Sequence, residues 1–292
     1  MLALAFVLLG AAPAQTLSSR VEAVIERTPG TVSLFAKNLD TGKTFAIRAD
    51  ARVRTASTIK LPIMATLFHE VKADRVQWNE MLAVNKEDKV SGSGILREFT
   101  DGIKFPIRDL MHLMIVMSDN TATNVILDRI TADTVNRYMD ELGLKQTRSL
   151  RKVRGDGNEL KSPSGFSEAG KLEENKRFGL GVSTPREMVL LLETIEKGEI
   201  VSKEACKEMI AVLKRQHYTE GIGRRRGSMP VASKSGSLDA LRSDVGIVYH
   251  PKGRIAIAIT VDDMKKIDWS PDNAGHLAIS ELTTILLDGL TQ

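Results

Sequence analysis

The sequence contains a single cysteine among its 292 residues, so no intramolecular disulfide can form. This residue, Cys206, lies in a stretch with the apolar spacing of an amphipathic helix, which predicts a thiol packed in the core. The five histidines are scattered, with neither a His-Glu-x-x-His pattern nor a second cysteine to pair with the first. We therefore expect no metal site and no cofactor.

Aromatic residues are also scarce, at 4% of the chain. Two basic clusters, at residues 148–154 and 224–226, accompany a net charge of +4, and neither has aromatic side chains between its arginines. Proteins that bind single-stranded nucleic acid place stacking side chains beside positive charge, so no nucleic-acid partner is expected. A solvated surface, or a site that attracts an anionic substrate, explains the clusters better.

Long hydrophobic runs are absent after residue 14, so we expect no stable membrane insertion. Residues 1–14 are apolar and end in Ala12-Pro13-Ala14, which is typical of the hydrophobic region and cleavage site of a secretory signal peptide. The basic region that usually precedes such a segment is missing, and a buried or lipid-facing helix is the alternative. The leader predicts a secreted or periplasmic bacterial protein.

The periodicity of apolar residues predicts strands near both ends of the chain and helices between them. The expected strands cover residues 31–39, 44–49, 231–237, 244–250 and 254–262, and the expected terminal helices cover residues 17–25 and 274–290. This order favours one antiparallel sheet assembled from both ends of the chain. The predicted fold class is α/β plus all-α, with a five-stranded antiparallel sheet flanked by the N- and C-terminal helices.

The domain organisation follows from the same pattern. We expect residues 15–56 and 206–292 to form a discontinuous α/β domain, and residues 57–205 an inserted all-α domain, with the cleft between them. Within the insertion, helical spacing fails at residues 148–181, where glycine, serine, lysine and glutamate dominate, so a long loop is predicted there.

The first motif with chemical content is Ser57-Thr58-Ile59-Lys60, followed by an apolar helical run. If Ser57 opens that helix, Lys60 lies nearly one turn further on the same face, within reach of the hydroxyl. A serine hydroxyl is a poor nucleophile unless a nearby base accepts its proton, and an amine of lowered pKa is such a base. Ser57 is therefore the candidate nucleophile.

Two further motifs follow in the chain. Ser118-Asp119-Asn120 ends an apolar helix, and its hydroxyl and amide suit proton relay and substrate binding. Lys234-Ser235-Gly236-Ser237 lies on an expected strand. It supplies a cation and a hydroxyl for a substrate carboxylate, and its glycine allows a ligand to approach the backbone. Each motif alone is weakly specific, whereas all three in this order are much more so.

With these three motifs the chain resembles the class A β-lactamase and penicillin-binding family of serine hydrolases over roughly residues 18 to 290. The resemblance implies a β-lactamase/transpeptidase-like fold. It also implies that Ser57 is acylated, that Lys60 exchanges its proton, and that Ser118 protonates the β-lactam nitrogen.

The same resemblance assigns the binding residues. Asn120 binds the acyl side chain of the substrate, and Lys234 and Ser235 bind its carboxylate. The backbone N–H groups of Ser57 and Ser237 form the oxyanion hole. Arg242 is a candidate for assisting with the carboxylate, with a salt bridge inside the sheet as the alternative.

The resemblance fails where the family carries its deacylating glutamate. Counting forward from Thr147 and Arg148 without gaps places Val153 at that position. The nearest substitute is Glu159, ahead of three later glutamates, namely Glu168, Glu173 and Glu174. Glu159 is therefore the candidate base for deacylation.

The expected activity is hydrolysis of the β-lactam amide by acylation and deacylation, and a monomer is expected. The alternative is a D,D-peptidase or esterase-like acyl enzyme that acts on a cell-wall peptide or an ester and deacylates slowly. A penicillin-binding sensor that traps one lactam also shares the acylating motifs.

Overall fold

The computed structural model describes residues 16–154 and 165–292. The predicted leader at residues 1–14 and the candidate base Glu159 lie outside the described residues. The helices are α1 (Leu17–Arg27), α2 (Lys60–Lys72), α3 (Ile107–Val116), α4 (Asn120–Ile130), α5 (Ala132–Glu141), α6 (Glu168–Lys171), α7 (Pro185–Lys197), α8 (Lys203–Leu213) and α9 (Ala274–Leu290). The strands are β1 (Thr31–Asn38), β2 (Thr44–Ile47), β3 (Val53–Arg54), β4 (Met81–Val84), β5 (Ile103–Pro106), β6 (Arg148–Ser149), β7 (Gly181–Ser183), β8 (Val231–Leu238), β9 (Leu241–His250) and β10 (Gly253–Asp262).

The five long strands form an antiparallel sheet in the order β2-β1-β10-β9-β8. β1 pairs with β10 from Thr31 opposite Asp262 to Asn38 opposite Ile255, so the sheet joins the two ends of the chain. The predicted fold class is confirmed. Strand β8 lies at the edge of the sheet.

Each face of the sheet buries a separate apolar cluster. Helices α1 and α9 cover one face, where Val21, Ile257 and Leu286 are fully buried in one cluster. The other face packs against α7, α8 and the central helix α2, which is buried over nearly its whole length. Side chains alternate between the two faces of a strand, so both clusters draw on β9 and β10. The edge strand β8 is held between them.

Two small sheets, β3-β7-β6 and β4-β5, were not predicted. Their strands are two to four residues long, and no longer extended run in the sequence marks them. The four-residue β2 was predicted because it lies within such a run at residues 44–49. β6 and β7 clamp the two ends of the expected loop at residues 148–181, which also contains α6 and a 3₁₀ turn at Glu173–Phe178. The loop is therefore partly structured.

None of the helices within residues 16–154 and 165–292 combines the length and apolarity that crossing a membrane requires. Cys206 is buried in α8, where its thiol contacts the Ile200 carbonyl oxygen at 3.0 Å. Burial raises the pKa of this thiol, which fits a packed core residue rather than a nucleophile. The predicted division into two domains stays a prediction.

Candidate active site

Ser57 lies in a 3₁₀ turn at Ala56–Ile59 that leads directly into α2, rather than at the first position of the α-helix itself. The preceding Ala56 is buried with φ of +46°, a conformation that costs a non-glycine residue about 1–3 kcal/mol. The Thr58 hydroxyl donates to the Thr55 carbonyl at 2.8 Å and braces the turn. The strained turn presents Ser57 to the cleft while Lys60 starts the helix behind it.

Gly236 on β8 packs directly against this turn. A Cβ atom at that position would lie 2.8 Å from the Thr55 carbonyl oxygen and 2.9 Å from the Ser57 nitrogen. Real Cβ atoms do not approach other atoms so closely, so only glycine allows β8 to lie this near the nucleophile. The glycine of the third motif thus sets the spacing between the sheet and the turn.

Lys60 is fully buried and its ammonium makes three contacts. It donates to the Ser118 carbonyl oxygen at 2.7 Å, to Asn120 Oδ1 at 2.9 Å and to Ser118 Oγ at 3.3 Å. These acceptors use all three N–H groups of a protonated lysine. Lys60 therefore has a lone pair for the Ser57 proton only when it is neutral.

Lys234 approaches the same serine from the sheet. It is fully buried, and it donates to Ser118 Oγ at 3.0 Å and to the Ser235 carbonyl at 2.7 Å. Ser118 is itself buried with φ of +53°, so the hydroxyl is held between two amines by a strained backbone. The first, second and third motifs meet at this one oxygen.

Burial and mutual repulsion favour the neutral forms of these amines. Burial, then the nearby Lys234 charge, lowers the pKa of Lys60 well below its ordinary value. Burial lowers the pKa of Lys234 to about 7, against the attraction of Asp244. Lowered pKa values of this kind are typical of groups that exchange protons in an active site.

Asp119 joins the second motif to the loop at residues 91–96. Its Oδ1 accepts the Ala122 N–H at 2.8 Å and caps α4, while Oδ2 accepts the N–H groups of Ile95 and Leu96 at 2.7 and 2.9 Å. A carboxylate with three such donors fixes the loop rigidly against the helix start. This loop forms one wall of the cleft.

The cleft has a volume of about 1070 Å³ and opens in front of these groups. Lys60 and Lys234 lie buried behind it and reach it through Ser118. Predicted site residues that line the cleft are Ser57, Ser118, Asn120, Ser235, Gly236, Ser237 and Arg242.

Comparison with known proteins identifies the architecture. A model of the β-lactamase enzyme family matches residues 16–290. The chain belongs to the β-lactamase enzyme family. The predicted recognition as a serine β-lactamase or penicillin-binding hydrolase is confirmed, and with it the prediction of a hydrolase.

Individual relatives agree over most of the chain. A β-lactamase of Bacillus licheniformis is 26% identical over 270 residues, covering 91% of this chain and 81% of that protein. An imipenem-hydrolyzing β-lactamase of Enterobacter cloacae is 26% identical over 271 residues, covering 89% and 85%. The crystal structure of a β-lactamase from Sphaerobacter thermophilus superposes with a TM-score of 0.80 at 29% identity, covering 94% and 96%.

In this member of the family, Asn120 and Arg242 are held by the protein itself. Asn120 accepts from Lys60 and donates from Nδ2 to the Ser91 carbonyl at 3.0 Å, so its amide positions the lysine and the loop. Arg242 donates to the carbonyls of Leu238 and Leu241 at 2.6 and 2.7 Å. Arg242 also donates to the Asp268 carbonyl, and its guanidinium lies 4.8 Å from the centre of the Trp269 ring. Within the described residues its hydrogen-bond acceptors are backbone carbonyls, so the salt bridge considered for it does not occur there.

Val153 also lies on the wall of the cleft. Its N–H donates to Asn124 Oδ1 at 2.8 Å, and its carbonyl accepts from Asn124 Nδ2 at 3.1 Å. The paired bonds fix the backbone at this position against α4. The later glutamates Glu168 and Glu173 lie on α6 and the 3₁₀ turn, where each pairs with a lysine.

Sequence reasoning missed several residues of the cleft. Trp269 and His276 line it from the segment before α9 and from α9 itself, and Asp244 lines it from β9. Asp244 had a weak signal, because it is a carboxylate at the start of the apolar run that predicts this strand. Among residues 16–154 and 165–292, no group of three or more histidine, cysteine, aspartate or glutamate side chains is arranged to hold a metal ion.

Proposed function

We propose that this member of the β-lactamase family hydrolyses the amide of a β-lactam through an acyl-enzyme on Ser57. The observation that carries the proposal is the convergence of two fully buried lysines on the Ser118 hydroxyl behind a cleft that Ser57 lines. Burial favours the neutral form of an amine, and neutral Lys60 is the base that an acyl-transfer site needs.

Acylation follows from the placement of these groups. Neutral Lys60 accepts the Ser57 proton as the serine oxygen attacks the lactam carbonyl. The backbone N–H groups of Ser57 and Ser237 stabilise the developing oxyanion, and one such donor is worth about 3–4 kcal/mol in related chemistry. Ser118 then gives its proton to the leaving nitrogen and recovers one from a neighbouring lysine.

Substrate binding is proposed at the edge of the sheet. Ser235 and Lys234 attract the carboxylate of the β-lactam, with Arg242 behind them, while Asn120 faces the acyl side chain. Gly236 permits the close approach. The proposal needs no metal ion and no cofactor.

Deacylation requires a base that activates water. We propose Glu159 for that role, from the segment that follows Val153. A second candidate function is favoured by Val153 itself, because a valine on the wall of the cleft cannot activate water. With no other base, the acyl-enzyme would persist, as expected of a D,D-peptidase or esterase-like enzyme acting on a cell-wall peptide.

The remaining expectations concern the context of the reaction. We propose that the protein acts as a monomer on a small-molecule substrate in a secreted or periplasmic location. The apolar residues 1–14 support the location.

The deciding experiment follows intact-protein mass after the protein is mixed with a few equivalents of benzylpenicillin. Wild-type protein should gain one penicilloyl group, and Ser57→Ala should gain none. Ser93→Ala, which alters another serine on the cleft wall, is the matched control and should acylate normally. A mass that returns to that of the free protein as penicillin is consumed supports hydrolysis, and a lasting adduct supports the second function. Unchanged acylation of Ser57→Ala would contradict both.

A further inference from the structure

A buried carboxyl group lies beside the proposed carboxylate-binding residues. Asp244 on β9 is directly opposite Ser235 on β8, so the two side chains point to the same face of the sheet. Asp244 is 1% exposed and borders the cleft. Two like charges, one on the protein and one on the substrate, would therefore meet at the edge of β8.

The two oxygens of Asp244 have different surroundings. Oδ2 accepts the Ile222 N–H at 2.9 Å, and a Cβ atom on Gly221 would lie 2.5 Å from this oxygen. Oδ1 is buried with no hydrogen-bond partner among the residues that the structure describes. A buried polar oxygen without a partner is costly, which makes Oδ1 the atom with binding capacity left over.

Several charged or titratable groups border Asp244. Lys234 approaches from β8, and Glu220 from the segment before β8. On its own strand lies Arg242, and α9 contributes His276. Burial raises the pKa of Asp244 to about 7. The Ile222 and Val245 N–H groups and the Lys234 charge oppose this rise, and the Glu220 charge adds to it. Burial, then the Arg242 charge, lowers the pKa of His276 to about 4, so this imidazole is neutral when Asp244 titrates.

We propose that Asp244 is a specificity-determining residue that binds the substrate carboxylate through its protonated Oδ1 and repels it when ionised. In the neutral form, Oδ1 carries a proton that it donates to the carboxylate beside Ser235. In the ionised form, two carboxylates meet in a desolvated corner. The inference rests on the proposed function, since it concerns the substrate of the same site.

The test compares benzylpenicillin with its methyl ester, which lacks the negative charge. For each variant, the second-order rate constant of acylation is measured by intact-protein mass at pH 6 and pH 8, and the ratio of acid to ester is taken. Asp244→Asn keeps a neutral donor at both pH values. At pH 8 its ratio should exceed that of the wild type about tenfold, because about nine-tenths of Asp244 is ionised one pH unit above 7. At pH 6 the two ratios should agree within about twofold.

The direction in which Asp244→Asn changes the acid-to-ester ratio at pH 8 separates this role from an indirect effect through Lys234. Loss of the Asp244 charge lowers the pKa of Lys234, which by itself would decrease the ratio at pH 8. Asp239→Asn removes an exposed charge on the cleft wall and should leave the ratio within about twofold of the wild type. Asp244→Ser, a shorter neutral donor, replaces the asparagine variant if that protein does not fold.

Two outcomes overturn the inference. If wild type and Asp244→Asn are both acylated but the ratio at pH 8 is unchanged or lower, Asp244 does not select the carboxylate, and the proposed function stands. If neither lactam acylates the wild type, the proposed function fails and this inference fails with it.

Discussion

At the scale of single residues, the site concentrates unfavourable arrangements. Ala56 and Ser118 both adopt positive φ. Ala56 precedes the proposed nucleophile Ser57, and Ser118 carries the hydroxyl proposed as the proton relay. Lys60 and Lys234 are fully buried a short distance apart, where their charges repel. Each arrangement lowers stability, and such costs are typical of sites that need a particular geometry and protonation state. The stability that these arrangements cost has to come from packing in the rest of the fold.

One prediction tests this cost at Lys234. Lys234→Met should slow acylation at least about 100-fold, because Ser118 loses its proton relay, yet stabilise the protein by about 1–3 kcal/mol at pH 6. The pKa of Lys234 is about 7 in the folded state and 10.5 ordinarily, so the unfolded chain binds more protons between these values. The penalty from Lys234 is complete below pH 7 and is lost as pH rises towards 10.5.

The measurement is chemical denaturation at pH 6 and pH 9. The advantage of methionine should be larger at pH 6. Lys252→Met, which changes an exposed lysine in the β9–β10 turn, should alter neither stability nor acylation. A destabilised Lys234→Met protein at pH 6 would show that the hydrogen bonds of Lys234 outweigh its desolvation.

At the scale of elements, the turn at Ala56–Ile59, which holds Ser57, packs closely against β8 at Gly236. Gly236→Ala should displace β8 from the turn and slow acylation about 10²–10³-fold, the cost of losing one oxyanion donor. The protein should still fold, as judged by its circular dichroism spectrum. Gly42→Ala changes a hairpin glycine of positive φ with open space around it, so it should lose stability but keep the acylation rate. If Gly236→Ala is acylated at the normal rate, the spacing between β8 and the turn does not control acylation.

The segment that carries Val153 gives a second prediction at this scale. Asn124 holds both the N–H and the carbonyl of Val153, which packs against the core and lines the cleft. A longer glutamate side chain at this fixed position should reach into the cleft. Val153→Glu should therefore shorten the lifetime of the penicilloyl adduct at least about tenfold, since it adds a base for water. Val153→Gln has the same size without the charge and should not. Equal lifetimes for the two variants would exclude this position from deacylation.

At the scale of the whole molecule, ion pairs of α7 join the helices to the sheet, and the most buried carboxylate among them is Glu193. Glu193 on α7 accepts from Lys37 on β1 at 2.7 and 2.8 Å and pairs with Lys197 at 2.7 Å. Burial alone would raise the pKa of Glu193, but the hydrogen bonds from Lys197 and Lys37 hold it below its ordinary value. The pair connects elements 156 residues apart in the sequence.

Glu193→Gln should lower the free energy of unfolding by about 1–3 kcal/mol at pH 7, because Lys37 and Lys197 lose the carboxylate that pairs with both of them. A carboxyl with a lowered folded-state pKa stabilises the fold above its unfolded value and ceases to do so as pH falls through the folded value. The difference between the variant and the wild type should thus shrink below about pH 4.5 in denaturation curves. A difference that stays constant down to pH 3 would point to packing instead of charge. Glu281→Gln, which breaks an exposed pair with Arg27, is the control and should change stability by less than about 1 kcal/mol.

The sequence by itself determined the five long strands, the terminal helices and the order of the three motifs. These features depend on local periodicity and on the spacing of a few residues, which are readable one segment at a time. The predicted strand at residues 254–262 differs from β10 by one residue, and the predicted helix at residues 274–290 matches α9. The strands of the two small sheets carry no such pattern and were missed.

Only the tertiary structure decided how the motifs combine. It brings Lys60 and Lys234, 174 positions apart by number, to one hydroxyl on Ser118, and it turns Asn120 towards the lysine. It also places Asp244, a buried carboxyl group, beside Ser235, and no spacing in the sequence indicates that these two residues are neighbours. The physical reason is that burial, strain and the proximity of charges arise from contacts between distant segments. The pKa values of the two lysines depend on those contacts, and so does the proposed chemistry.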